Sequence, residues 1–304
     1  LNTRDLQAFV AVVDSGSMVR AAQTLHLTQP GLTRRVQNLE TTLGMPLLDR
    51  QAKPLKPTAA GREVYALARN VLGAVDDLLA LTSPDSEPTG ELRLGVPPFL
   101  SEFALEEPVD RLRSAFPKLT LRVTAAWSPG LLQSVERASA DVAVVLMPPN
   151  VVLPDTVVST RLACLSTVIV APRSLDVPDT PVSLAELSRY AWVLNQEGCG
   201  MRSALSRALA ARGLPFNVAV EAFGSDLQLS LVARGLGIGV VPPDRLARSP
   251  HRDRLRTVET TDFQADVNVW FVHGALPGRL VRAVGLLREA LVETLVAHGI
   301  AAAE

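Results

Sequence analysis

Two cysteines, Cys164 and Cys199, in a chain of 304 residues are too few to frame a secreted fold with disulfides, and a reducing compartment is the expectation. Aromatic residues are scarce and aliphatic ones dominate. No run approaches the roughly 20 apolar residues that span a bilayer, and no charged-then-apolar leader opens at Leu1. The expectation is a soluble, cytoplasmic protein without a membrane partner. The four histidines, His26, His251, His273 and His298, share no metal-ligand spacing, and no HExxH, Walker loop or nucleophile elbow occurs. Glu106 and Glu107 are adjacent on a helical pattern, where neighbours point apart. The glycines of "GLGIGV" follow a helix rather than a strand, which argues against a dinucleotide site. No catalytic residue, cofactor or metal is therefore expected, and the chain does not read as an enzyme.

What is present is asymmetric. The length suggests two or three domains. Residues 1–62 hold Arg4, Arg20, Arg34, Arg35, Arg50, Lys53, Lys56 and Arg62 against Asp5, Asp14, Glu40 and Asp49. The formal charge of the whole chain is nevertheless -1, so a basic module joins an acidic body, a distribution that suits polyanion binding.

Three helical patterns fill the basic module. Leu6, Phe9, Val10 and Val13 lie at helical spacing until Gly16; Ser17 is placed to cap a second helix whose Met18, Ala21, Ala22 and Leu25 form a narrow apolar face. After the short turn "HL", Thr28 is placed to cap a third helix with Gln29 and Pro30 in its first turn, and Gly44 ends it. Leu32, Val36 and Leu39 must face the core, which leaves Gln29, Thr33, Arg34, Gln37 and Asn38 outward and Arg35 to one side. Two helices on a tight turn, the second showing Gln, Thr and Arg near its start, make a helix-turn-helix. Arg matches guanine O6/N7, Gln matches adenine N6/N7, and the Thr and Pro carbons can meet a thymine methyl. The competing reading is an ordinary amphipathic surface helix.

"MPLLDRQAKPLKPTAAG" then reads as a two-stranded wing with a basic tip, where Arg50, Lys53 and Lys56 would meet phosphate or a minor groove. Thr58 is placed to cap a long helix to about Leu81, roughly 36 Å at ~1.5 Å per residue. Val64, Ala68, Val71, Val75 and Leu78 alternate by four and three, the seam of a coiled coil, and Leu67, Leu72 and Leu79 widen the stripe. Such a rod predicts pairing with a second copy.

The order of these parts, and the wording "SGSMVRAAQTLHLTQPGLTRRVQNLETTLGMPLLDR", resemble the LysR-type transcriptional regulators. The resemblance is strongest from Asp5 to Gly61 and extends over essentially the whole chain. It implies an N-terminal all-α winged helix-turn-helix with a long linker helix, followed by a C-terminal α/β two-lobed effector domain built like a periplasmic binding protein. The expected boundaries are a DNA-binding domain at 1–58, a dimerising linker helix and hinge at 59–90, and an effector domain at 91–304. Lobe one would comprise about 91–161 and 268–304, lobe two about 162–267. The implied partners are double-stranded DNA, a small-molecule effector and further copies of the chain, as a homodimer or homotetramer. On matching positions, Gln29, Pro30, Thr33 and Arg34 would contact bases or nearby phosphates and Lys53 would be the wing residue. Thr28, Arg35, Asn38 and Arg50 complete the expected DNA-binding set.

The linker "TSPDSEPTG", Thr82 to Gly90, marks the domain boundary. Beyond it strand-like and helical runs alternate in βαβ grammar, twice over, and predict two similar lobes. Parallel sheets bind ligands outside the carboxyl ends of their strands. The expected effector residues are therefore Pro98, Phe99, Leu100, Ser128, Met147, Gln196, Met201 and Arg202. In the resembling family the first of these loops often offers Ser or Thr where this chain has Phe99, and the second often reads Glu-Gly where it has Ala125 and Ala126. Both departures point to an apolar or aromatic effector, with an anionic group near Arg202 and the start of its helix. Cys199 offers an alternative: a thiol at a helix start beside an arginine can sense oxidants. The relatives that do so place a partner cysteine nearby, which this chain lacks. A solute-binding module without DNA activity is the other alternative.

Overall fold

The computed structural model describes residues 1–52, 54–80, 87–101, 104–264, 266–274 and 278–302, with the backbone alone at 76, 77, 79, 80, 278, 279 and 301. The N-terminal module consists of α1 (Thr3–Ser15), α2 (Met18–Thr24), α3 (Gln29–Leu43), β1 (Leu48–Asp49), β2 (Lys56–Pro57) and α4 (Ala59–Ala80). Its helix ends follow local chemistry. Asn2 and Ser17 accept the amides of Arg4 and Arg20, and Gly16 and Gly44 close α1 and α3 with left-handed φ of 61° and 69°, a conformation with no steric cost for glycine. The α2–α3 turn passes through His26, whose φ of 51° is also left-handed; histidine is among the side chains enriched there.

Phe9, Val12, Leu32, Val36 and Leu39 meet in one core with Ala21 and Leu47, all essentially buried. Burying each of the larger side chains contributes about 2 kcal/mol relative to exposure. The alanines of α2 matter because a small side chain lets α2 approach α1 and α3 closely.

The expected seam of α4 divides between two duties. Tyr65 and Ala68 are buried in the head core, and Val64 and Leu72 pack partly against it. Among the described side chains of α4, Leu67, Val71 and Leu78 are the large apolar ones left exposed, and with Ala74, also exposed, they run i, i+4, i+7, i+11. The stripe open to a partner thus keeps Val71 and Leu78 of the predicted seam and Leu67 of its flank, and loses the Val64–Ala68 side, which the head consumes; the side chain of Leu79 lies outside those described. Thr82 to Ser86 of the expected linker lie outside the described residues.

Lobe one begins with β3 (Gly90–Val96), α5 (Pro98–Ser101), α6 (Glu106–Ala115), β4 (Leu119–Ala125), α7 (Ser128–Glu136), β5 (Val142–Met147) and β6 (Val158–Leu165). Lobe two follows with β7 (Val168–Pro172), α8 (Leu184–Leu187), β8 (Trp192–Asn195), α9 (Gly200–Ala211), β9 (Val218–Ala222), α10 (Ser225–Ala233), β10 (Gly239–Val241), α11 (Pro243–Arg248) and β11 (Leu255–Val258). The chain then returns to lobe one through β12 (Val267–His273), α12 (Gly278–Ala297) and β13 (Ala301–Ala302).

Lobe one's sheet has the order β13-β6-β12-β5-β3-β4. Strand β3 is parallel to β4 and β5, whereas β12 is antiparallel to both β5 and β6. Buried-type runs such as "VAVVLM" form its centre, as expected for a sheet covered on both faces. In lobe two, β7 lies between β10 and β11, and β8 pairs in parallel with β9. A bridge between Trp192 and Ile238 links these two parts. The lobes are therefore not purely parallel: β12 in lobe one and β7 in lobe two, the first strand after each crossing, run against their neighbours. Strand β6 stays in lobe one's sheet to Leu165, so the first crossing falls after Leu165 rather than at the expected 161. The apolar text that reads as one run, "RLACLSTVIV", is in fact two strands split at Ser166 and Thr167.

Candidate nucleic-acid interface and effector cleft

Helix α3 is held by its buried stripe and presents the opposite side to solvent. The Thr28 hydroxyl accepts the Gly31 amide at 3.3 Å, and Pro30 occupies the first turn, where a missing N–H has no consequence. Gln29, Pro30, Arg34, Gln37 and Asn38 are exposed and Thr33 and Arg35 half-buried. Among the described residues neither Arg34 nor Arg35 has a hydrogen-bond or ion-pair partner. An outward face of amide, hydroxyl and two uncompensated guanidiniums is built to meet acceptors, as on base edges and phosphates.

The wing is an antiparallel pair, Leu48 opposite Pro57 and Asp49 opposite Lys56. It is pinned to α3 by Glu40. One carboxylate oxygen accepts the amides of Leu47 at 2.8 Å and Leu48 at 3.4 Å, and the other accepts Arg50 Nη2 at 3.0 Å. Arg50, expected to be a phosphate contact, is thus half occupied by an internal carboxylate. Lys53 lies outside the described residues. Sequence reasoning passed over Glu40; the signal was the one carboxylate on a helix whose other charged side chains, Arg34 and Arg35, are cations.

The second site lies between the lobes. Lobe one supplies Pro97, Pro98 and Phe99 after β3, Trp127 and Ser128 after β4, and Leu146 of β5. Lobe two supplies Asn195, Cys199, Gly200, Met201, Gly224 and Ser225. None of these lining residues is charged. The free volume among them is about 10 Å³, at or below what one water occupies, so the cleft is shut. Trp127 shuts it: its Nε1 donates to Gln196 Oε1 at 3.3 Å, and its ring meets Phe223 edge-on with centroids 5.6 Å apart. Two glycines permit the closeness. A Cβ on Gly198 would lie 2.9 Å from that of Trp127, and one on Gly200 would lie 2.5 Å from the Leu146 carbonyl.

The polar groups at the cleft floor are already partnered. Ser128 Oγ accepts the Leu146 amide at 2.9 Å. Asn195 donates to Gln228 and accepts the Gly224 amide, both at 2.9 Å, and Gln228 donates to the carbonyls of Val193 and Val240. Behind Phe99 a separate cavity of about 190 Å³ is lined by Cys164, Leu165, Pro242, Pro243 and Ile300 among others.

The head and the body each match a known domain. Residues 3–62 match the bacterial regulatory helix-turn-helix protein, lysR family, and residues 85–295 match the LysR substrate binding domain. The chain belongs to the LysR family of transcriptional regulators. It is 29% identical over 300 residues to the RuBisCO operon transcriptional regulator of Allochromatium vinosum, covering 95% of each chain. Its fold is similar to that of a full-length OxyR variant from Pseudomonas aeruginosa, with a TM-score of 0.79, 19% identity and coverage of 96% of this chain and 94% of that one. It is also similar to full-length CbnR in complex with its target DNA, with a TM-score of 0.55, 21% identity and coverage of 95% and 100%. As a LysR-family regulator it binds DNA through its helix-turn-helix, carries an effector-binding domain and is not an enzyme.

Within this LysR-type effector domain, four of the expected effector residues line the cleft, namely Pro98, Phe99, Ser128 and Met201. The other four do not. Met147 follows Leu146 on a strand whose successive side chains point to opposite faces, and it packs with Leu131 and Val145 instead. Leu100, one step beyond Phe99, is buried in the lobe-one core. Gln196 is the partner of Trp127 at the mouth. Arg202 follows Met201 on a helix and so turns about 100° away. Its guanidinium meets Glu221 at 2.6 Å and the Asn195 carbonyl at 3.0 Å, beside a surface hollow with Ser203, Ser206, Arg207 and Phe216. The anion-binding role expected of Arg202 therefore has no place in the cleft. Cys199 is buried, and burial pushes its thiol up despite the nearby Met201 and Arg202 amides. That is the reverse of what a sensing thiolate needs. Among the described residues no helix is long and apolar enough to cross a membrane.

Proposed function

We propose that this LysR-family regulator is a cytoplasmic dimer, assembling further into a tetramer, that reads an interrupted palindrome through paired winged heads and responds to a small apolar or aromatic effector between its lobes. The observation that carries the DNA reading is the outward face of α3, where Arg34 and Arg35 have no partner among the described residues, over a stripe that is fully buried. Thr28, Gln29, Pro30, Thr33, Arg34, Arg35 and Asn38 form that surface, with Lys53 and, in part, Arg50 at the wing. The pairing reading rests on Leu67, Val71 and Leu78, exposed along one line of α4.

The effector reading rests on the uncharged lining and on Phe99, Leu146 and Met201 as its apolar surface. With Arg202 held by Glu221, the cation expected to meet an anionic group is turned away, and the uncharged lining favours a neutral ligand. A cleft this closed must open to admit an effector, and the population shift is limited by the ligand's preference for the open state. Selection of duplexes from a random pool by the purified protein tests the first half, with enrichment of a two-half-site sequence expected. A thermal-shift screen of small metabolites tests the second, because a ligand of the native state raises apparent stability by mass action. Indifference to every duplex at low salt would end the DNA reading.

A further inference from the structure

Helix α4 does not leave the head freely. Along its first half it is clasped by a chain of polar side chains drawn from three parts of the molecule. Asp14 at the end of α1 accepts the Tyr65 hydroxyl in a short hydrogen bond, and Arg93 Nη1 donates to that same hydroxyl at 3.4 Å. Arg93 belongs to β3 of lobe one. Its Nη2 and Nε meet the two oxygens of Asp141 at 2.8 and 3.1 Å, and its own amide donates to Asp141 at 2.8 Å. Arg69 of α4 completes the circuit, 3.2 Å from Asp141 and 4.0 Å from Asp14.

Tyr65, Arg93 and Asp141 are nearly buried, and the two arginines balance the two aspartates. A buried pair this well satisfied keeps one geometry, since a shift would strand a charge away from water. Desolvation opposes the charge on Arg93, but Asp141 outweighs it and holds the guanidinium above its usual value. Burial, and then Asp14, push the Tyr65 hydroxyl up, so it remains a donor. Ala138 adds a further sign of constraint. It adopts a left-handed φ of 52° and offers its carbonyl to Arg93 Nη2 at 2.7 Å, a backbone state uncommon outside glycine.

We propose that Asp141 is the positioning residue of the DNA-binding head: through Arg69 and the Arg93–Tyr65–Asp14 relay it fixes the head to lobe one, so that the two move as a single body. The strands give this a consequence for signalling, resting on the reading of the cleft given above. Arg93 lies in the first half of β3 and Asp141 just before β5, while Pro97–Phe99 and Leu146 at the other ends of the same two strands line the cleft. About five residues, roughly 16 Å at ~3.3 Å each, separate clasp from cleft. Opening the cleft then moves lobe two against a head that lobe one carries, and the heads of a dimer are re-spaced by that movement.

The test uses the full-length protein, the two-half-site duplex it enriches from a random pool, and a duplex holding one half-site. For Arg69→Gln and Asp141→Asn we expect half-site affinity within about twofold of wild type and two-site affinity lower by about tenfold, because only the spacing of heads is lost. Arg69→Lys should restore most of it. Equal losses on both duplexes, or no loss on either, would overturn the proposal. Calorimetry of the DNA-free protein gives a second readout, which does not depend on any duplex being bound. Wild type should unfold head and lobe one in one transition, and Arg69→Gln and Tyr65→Phe should split it. One shared transition in both variants counts against the clasp, and absence of duplex binding by wild type would count against the DNA reading instead.

Discussion

Glu40 and Leu47 are joined by a hydrogen bond of 2.8 Å from the Leu47 amide to a side-chain oxygen of the recognition helix. Leu47 is fully buried, so its amide has no water to turn to. Glu40→Ala should therefore cost about 1 to 3 kcal/mol of stability, the penalty for an unsatisfied buried donor. Urea unfolding followed by circular dichroism measures it. Glu40→Gln, which keeps an acceptor, should recover most of the loss; if the two variants are equally destabilised, the bond contributes nothing and packing accounts for the effect.

Under the proposed DNA reading, Arg34 would contact bases and Arg50 the backbone beside the wing. Arg34 is exposed and without a partner among the described residues, whereas Arg50 is already paired with Glu40. Arg34→Ala should cost about 1 to 3 kcal/mol of specific binding and relax sequence preference. Arg50→Ala should change affinity far less, with a salt slope lower by under one unit. Gel shifts across a salt series decide this, and a larger effect at Arg50 would reverse the assignment.

The exposed line of α4 makes a third prediction. Leu67→Glu with Leu78→Glu puts two like charges on each copy where apolar surface would meet its twin. Sedimentation should then report monomer, with the head still folded because Tyr65 and Ala68 face the other way. The seam read from the spacing shares Leu78 but adds Val64 and Ala68, so glutamate at either of those should disrupt the head core rather than the pairing.

Periodicity and caps made the head legible in the sequence. Gly16, Ser17, Thr28 and Gly44 each do locally what their chemistry dictates, and Leu32, Val36 and Leu39 leave one outward face. Contacts between distant segments were not legible. Glu40 reaching the wing, Trp127 reaching lobe two and Asp141 reaching α4 depend on tertiary proximity that no spacing rule encodes. The errors in the cleft are of a different kind: Met147 and Arg202 were one residue out of register, and on a strand or helix one residue is enough to face away.

The thiols make a chemical prediction. Burial raises both Cys199 and Cys164, the latter also beside Asp266, so at pH 7 each is a neutral thiol in the folded protein. Cys199, which is buried, should not react with iodoacetamide over minutes in native buffer. Cys164, only half-buried, should react more slowly than a free thiol, and both should react fully once the chain is unfolded in urea. Rapid native labelling of Cys199, read by mass spectrometry, would revive the oxidant-sensing alternative.

Trp127 is the last and most local test of cleft opening. Its indole holds Gln196 and Phe223 of the opposite lobe, and about 10 Å³ of free volume cannot admit any effector while those contacts stand. Every ligand that enters must therefore release the Trp127 ring, whereas Trp192, buried within lobe two, and Trp270, on β12 and outside the cleft lining, keep their surroundings. Titration with an effector found by thermal shift should change tryptophan emission in the wild type. Trp127→Phe should abolish most of that change while calorimetry still reports binding, because phenylalanine keeps the apolar contact but cannot report or donate to Gln196. Emission that shifts equally in the variant would mean that the ligand enters elsewhere, with the 190 Å³ cavity behind Phe99 as the next place to look.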